Sequence, residues 1–176
     1  MKGEVTVYRE PSLEFRYGQE MDDPHDGLSL FGPYDTGSPS HPKNISYGLV
    51  GTSEGIETFG EWSRRIRSVI YSDQRSDSRL WPLFPGFEAA FECSWPEHPA
   101  RMTSLDDQKL VTLSRDRDQH KRASAVVDLY LDVIRRMEKR DDPLDVIVCV
   151  VPDIVHRNCR PQSRVRDGIG YGARFC

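Results

Sequence analysis

The sequence is short of apolar residues. Of its 176 residues, 37% are hydrophobic and 30% are charged, and the mean hydropathy is −0.62. No apolar run approaches the roughly 18 residues that mark a bilayer span, so no membrane segment is expected. A chain of this length buries roughly 70% of its unfolded surface when it folds as one unit. An aromatic content of 10% argues against a disordered chain. Cysteine is sparse: Cys93, Cys149, Cys159 and Cys176 form no CxxC pair. Residues 1–15 lack the apolar stretch of a secretory leader, so a cytoplasmic protein with reduced thiols is expected. Cys149 lies inside an apolar run and is expected to be a small core residue. The histidines His25, His41, His98, His120 and His156 form neither HxxxH nor HExxH, which removes the usual zinc spacings. No Ser-His-Asp, Cys-His or paired-carboxylate pattern is present either.

Charge is divided unevenly. The formal net charge is −4, yet residues 1–62 hold 11 acidic and 4 basic side chains. Residues 154–176 hold Arg157, Arg160, Arg164, Arg166 and Arg174 against Asp167. This excludes a uniformly basic coat protein and leaves a basic stretch that is either a solvated tail or an anion-facing surface.

The apolar spacing places the elements. Leu13, Phe15 and Tyr17 alternate, as do Val5 and Val7, and read as two short strands of an arm. Asp23–Gly27 and Phe31–Tyr34 read as turns. Asn44–Gly51 reads as a strand. Ile56, Phe59, Trp62, Ile66, Val69 and Ile70 recur at steps of three and four, which predicts a helix over 53–72 started by Thr52 or Ser53. Residues 73–109 read as irregular, and Lys109–Leu113 as a short strand. Val126, Val127, Tyr130, Val133, Ile134 and Met137 predict a second helix over 119–140. Leu144–Val151 is continuously apolar, the pattern of a strand buried on both faces of a parallel sheet. Strands alternating with helices predict an α/β layer with a mostly parallel sheet, whose ligands bind at the C-terminal ends of the strands. The loops at Gly51–Gly55 and Pro152–Pro161 are therefore the ones to inspect.

Gly51-Thr52-Ser53-Glu54-Gly55 lacks a P-loop lysine and the GxGxxG spacing, and Glu54 would repel phosphate, so a structural turn is expected. Asp22, Asp23, Asp26 and Asp35 lie where aspartate serves turns, without the spacing of a metal site. His156 and Arg160 are four apart and would share a face if both lay on a helix, which Pro161 would end. An imidazole with a forked guanidinium at a strand's C-terminal end suits a phosphate.

Three stretches together resemble the short prokaryotic Argonautes. Glu10–Gly37 (EPSLEFRYGQEMDDPHDGLSLFGPYDTG) is similar to the family's opening arm. Leu80–Glu92 (LWPLFPGFEAAFE) is similar to the segment after the first helix of the MID domain. Leu144–Pro161 (LDVIVCVVPDIVHRNCRP) is similar to a MID strand followed by Cys-Arg-Pro. The resemblance implies a Rossmann-like MID-type layer over residues 44–176, preceded by a β arm over 1–43 that packs on a PIWI domain in the family. It implies a non-catalytic module that holds the 5′ end of a guide RNA or DNA for pairing with a target strand. The phosphate contacts would fall to His156, Arg157, Arg160 and Arg164. No cofactor is implied beyond a Mg²⁺ ion that accompanies the guide phosphate in full-length members. A Sir2- or TIR-type effector is the implied protein partner. The 176 residues leave no room for the RNase H-like PIWI domain, so the front part of a longer protein is expected. The residues alone leave two alternatives open. One is a small metal-dependent phosphoesterase or nucleotide-binding enzyme using Asp145 or Asp153. The other is a scaffold that docks an effector.

Overall fold

The computed structural model describes Tyr8 and residues 10–71 and 83–161. In chain order the elements are β1 (Leu13–Phe15), β2 (Gln19–Met21), α1 (Pro24–Leu30), β3 (Tyr47–Gly51), α2 (Ser53–Ile66), α3 (Phe87–Phe91), β4 (Arg101–Ser104), α4 (Asp107–Ser114), α5 (Gln119–Glu138), β5 (Val146–Cys149) and α6 (Asp153–Cys159). The fold is mixed α/β, with a small antiparallel sheet and a three-stranded parallel sheet. No helix among the described residues is long and apolar enough to cross a membrane. The chain divides into two compact units, Met1–Ile45 with Glu61–Glu97, and Ser46–Gly60 with His98–Cys176.

In the first unit β1 and β2 pair antiparallel, Leu13 opposite Met21 and Phe15 opposite Gln19. Their turn puts both Tyr17 (φ 60°) and Gly18 (φ 67°) in the left-handed region. The Arg16 guanidinium lies 4.5 Å above the Tyr17 ring and pairs with Glu92, which holds this uncommon conformation. Asp23–Gly27, expected as a turn, instead starts α1. The Asp23 carboxylate accepts from the His25 amide at 2.8 Å, and Pro24 stands at the first helical position, where its missing N–H costs nothing. The buried Phe15 ring rests directly on Gly27, where a Cβ would lie 2.1 Å from it. The Phe87 ring packs on Phe91 and Trp95 at 4.7 and 5.2 Å, and the Trp95 indole donates to Ser63 Oγ at 2.8 Å.

In the second unit all three strands run parallel in the order β4-β3-β5. β3 is buried at every residue because it is central. The expected strand at Lys109–Leu113 is helix α4. The Asp106 carboxylate accepts from the Lys109 amide at 3.0 Å and starts a helix whose Leu110 and Leu113, three apart, meet the core. The strand lies earlier, at Arg101–Ser104, in a segment expected to be irregular. The first predicted helix also ends sooner, at Ile66. The second matches its prediction closely, and on α5 the buried residues are Arg122, Val126, Tyr130, Val133 and Met137. The Asp118 carboxylate starts α5 by accepting from the His120 and Lys121 amides. The Lys121 amide bond above all holds that carboxyl below its usual range.

β5 corrects a further expectation. Leu144–Val151 was expected to be buried on both faces, but the strand is Val146–Cys149 at the edge of the sheet, exposed at both ends. Cys149 is exposed and not a core residue. Apolar content reports a tendency to be buried, whereas the place in the sheet is decided by which strands pair.

Arg122 is 1% exposed, the largest of the fully buried side chains. Its Nε donates to the Asn158 carbonyl at 2.6 Å, and Nη1 donates to the Asp116 and Arg117 carbonyls at 3.2 Å each. One guanidinium therefore joins the start of α5, the loop before it and the end of α6. Replacing the fork with a single ammonium breaks this set, so Arg122→Lys should lower stability by about 3 kcal/mol. Glycines sort by what surrounds them. Gly32 has φ 81°, and a Cβ there would lie 2.7 Å from the Ala90 carbonyl oxygen, so Gly32→Ala should cost about 2 kcal/mol or more. Gly60, inside α2 with nothing within 4 Å of an added Cβ, should gain about 0.5–1 kcal/mol as alanine. Urea midpoints of the three variants, taken at unchanged slope, check all three signs.

Candidate functional site

The chain leaves central β3 for β4 on one side and later returns to β5 on the other. Such a reversal sets the crevice of an open α/β sheet at the carboxyl ends of the two diverging strands, here β3 and β5. Gly51-Thr52-Ser53 follows β3. The Thr52 hydroxyl accepts from the Gly55 amide at 3.1 Å and so caps α2, while Ser53 Oγ lies 3.0 Å from Ser104 Oγ at the end of β4. The turn itself is packed from within the chain. A Cβ built on Gly51 would lie 3.0 Å from Val150 Cβ, and one on Gly55 would lie 3.0 Å from Val150 Cγ1. The two glycines thus admit Val150, a packing reason for the turn that needs no bound anion.

Val150 is held at its backbone too. Its amide donates to the Val50 carbonyl at 2.7 Å, and its carbonyl accepts from the Tyr130 hydroxyl at 2.7 Å. Burial, with the neighbouring Cys149 thiol adding to it, pushes the Tyr130 phenol up to about 12. Beyond Val150 the chain enters α6, whose far end is fixed by α5. Arg122 grips the Asn158 carbonyl, and the Gln119 amide donates to the Arg160 carbonyl at 3.2 Å.

Three of the four candidate phosphate ligands, His156, Arg157 and Arg160, fall around this end. His156 lies on α6 with its side chain exposed, and its amide donates to the Pro152 carbonyl at 3.1 Å. Arg157 pairs with Asp153 one turn earlier. Arg160 does not share a helical face with His156. The helix stops at Cys159, and Arg160 is extended (φ −65°, ψ 155°). The physical reason is Pro161, whose ring clashes with a preceding residue in the helical region. The Arg160 side chain is exposed, and Arg164 lies outside the described residues. His156 and Arg157 occupy the last turn of α6, where the helix dipole favours cations.

Sequence reasoning passed over Arg122, Gln119 and Tyr130, which position this end. The signal for Arg122 was its spacing. It stands four residues before Val126 on the buried stripe of α5, where a solvated charge does not belong.

The carboxylates offered for metal chemistry are engaged elsewhere. Asp145 Oδ2 accepts from the Ser46 amide at 2.7 Å at the start of β5, and Asp153 pairs with Arg157 beyond its other end. On α6 the Mg²⁺ ion implied by the family resemblance would meet one carboxylate, Asp153, in competition with its pair to Arg157. Among the described residues, the group of acidic and histidine side chains close enough to share an ion is Asp23, His25 and Asp26. Asp23 and His25 are exposed and Asp26 is half-buried, and their atoms serve the start of α1 and a 3.0 Å contact between His25 Nδ1 and Asp26. No protein-family model matches the chain, and no curated protein matches it.

The raised Tyr130 pKa gives a signed prediction. The protonated phenol is favoured by folding, so its contribution is complete below pH 10 and is lost as pH rises through about 12. Tyr130→Phe should cost about 1–2 kcal/mol at neutral pH by leaving the Val150 carbonyl unpaired. Urea midpoints at pH 7, 9 and 11 should show the gap between wild type and variant closing at the alkaline end.

Proposed function

We propose that this chain is a Rossmann-like, MID-type module that holds the phosphorylated 5′ end of a guide strand, and that it is not catalytic by itself. The observation that carries the reading is the exposed, proline-bounded Arg160 at the fixed end of α6. It lies within four residues of His156 and Arg157 and beyond the carboxyl end of a parallel strand. That end of an α/β sheet is where such proteins take ligands. A guanidinium offers a planar fork that fits two phosphate oxygens, and an imidazole N–H adds a third donor. Gln119 and Arg122 hold the α6 backbone, so fewer degrees of freedom are lost when a phosphate arrives. The resemblance of Glu10–Gly37, Leu80–Glu92 and Leu144–Pro161 to the short prokaryotic Argonautes supports the same reading. It extends the reading to a complementary target strand and a Sir2- or TIR-type effector as partners.

Direct titration of 5′-phosphorylated and 5′-hydroxyl single strands, both RNA and DNA, tests the proposal. The phosphorylated end should bind about tenfold tighter at low salt, the margin expected of one charge-assisted bidentate contact. Arg160→Ala and His156→Ala should each reduce that preference, and affinity should fall steeply with added salt as counterions are retained. Equal affinity for the two ends, unchanged in both variants, would remove His156 and Arg160 from the site.

A further inference from the structure

The last turn of α5, the loop after it and the first residues of β4 and β5 border a cleft of about 420 Å³. That volume falls within the roughly 300–1,000 Å³ of small-molecule sites. The cleft lies in the second unit at the amino ends of β4 and β5, whereas the phosphate site proposed above lies beyond a carboxyl end. Its apolar lining is Ile134, Leu144, Val146 and Ile147, with Pro143 beside them. Its charged lining is Glu138, Asp142 and Asp145 against Arg101. The Arg101 guanidinium donates to the Met137 carbonyl at 2.9 Å and to the Asp142 carbonyl, and it pairs with none of the three carboxylates. Asp145 gives one oxygen, Oδ2, to the Ser46 amide at 2.7 Å. Glu138 and Asp142 make no side-chain hydrogen bond or ion pair among the described residues. Arg136, Lys139 and Arg140 are close in sequence but do not line the cleft. Three carboxylates against one guanidinium thus leave two negative charges uncompensated beside an apolar surface.

We infer that this cleft binds an aliphatic diamine, two ammonium groups joined by a methylene chain. A divalent metal ion has the matching charge but needs several oxygens around one point. Among the described residues, Glu138, Asp142 and Asp145 do not stand close enough together to share one ion. A neutral apolar molecule would cover the apolar lining and take water from the carboxylates without replacing it. A single ammonium would balance half of the charge. A diamine answers all three features, since each ammonium donates to its own carboxylate and the methylenes lie on Ile134, Leu144 and Ile147. The carboxylates remain in contact with water, which keeps the binding modest. The inference is independent of the phosphate reading, which concerns the chain beyond Pro152.

Titration of the full chain with the five-carbon diamine cadaverine at low salt, followed through its amide resonances, is the test. Saturable shifts should centre on residues 142–147 and give a dissociation constant of about 1 mM. Pentylamine, with one charge on a chain of the same length, should bind at least about fivefold more weakly. The three-carbon diamine should bind about fourfold more weakly, for its two missing half-buried methylenes. Glu138→Gln and Asp142→Asn, both at exposed positions and both conserving shape, should each weaken cadaverine about threefold or more. Asp132→Asn, exposed and outside the cleft, should leave it unchanged. If a variant loses its fold, as its own spectrum would show, the comparison of cadaverine with pentylamine on the wild type decides instead. No saturation up to about 20 mM, shifts centred elsewhere, or equal affinity for cadaverine and pentylamine overturns the inference. So does binding that survives both cleft variants, or that Mg²⁺ displaces as well as a second diamine does at equal ionic strength.

Discussion

A positive charge withdrawn from water sets the geometry of the second unit. Arg122 reaches in from the first turn of α5 and gives its donors to backbone carbonyls from two separate segments, the loop at Asp116–Arg117 and the last turn of α6. A buried guanidinium is expensive unless its donors are satisfied, so the carbonyls must converge on it. The Asn158 carbonyl belongs to the negative end of a short helix, which adds to the attraction. The consequence runs outward from there. The Asn158 carbonyl is thus held by Arg122 and the Arg160 carbonyl by Gln119. The exposed side chains of His156 and Arg160 stand next to these two anchored carbonyls.

The sheet shows what the sequence pattern can and cannot report. The two long helices were legible because their apolar residues recur over several turns, long enough to separate a period of 3.6 from one of 2. Lys109–Leu113 is five residues, too few to separate them, and the deciding feature was the capping Asp106 just before it. β4 was hidden because Arg101, Thr103 and Ser104 dilute its one apolar residue, Met102. β5 was found as a strand, but its continuous valines reported only that it avoids water. Its position at the edge depends on which partner strands exist, and no local sequence records that. α1 was missed because Asp-Pro followed by glycine fits a turn as well as a first helical turn, and the Phe15 ring resting on Gly27 comes from another segment.

At the proposed site the loop was legible and the arrangement was not. His156 and Arg160 stand four apart, the spacing of a helical face, yet Pro161 forces Arg160 into extended backbone and separates the two. Both facts were in the sequence, and the local rule on the residue before proline outweighs the spacing. The groups that steady the site were harder to see. Arg122 and Tyr130 lie on α5, far along the chain from the residues they hold, and their partners are carbonyls, which carry no sequence signature.

Val150 sits at 3.0 Å from where side chains on Gly51 and Gly55 would begin, and it has a backbone bond to Val50 on one side and to Tyr130 on the other. It therefore works as a spacer of fixed thickness between the first turn of α2 and the end of β5. Every enlargement at position 51, 55 or 150 must be taken up by widening that gap, and every reduction at 150 would leave a void between two clamped backbones. The three positions share one volume. Changes at two of them are therefore coupled, and their effects on stability should not add.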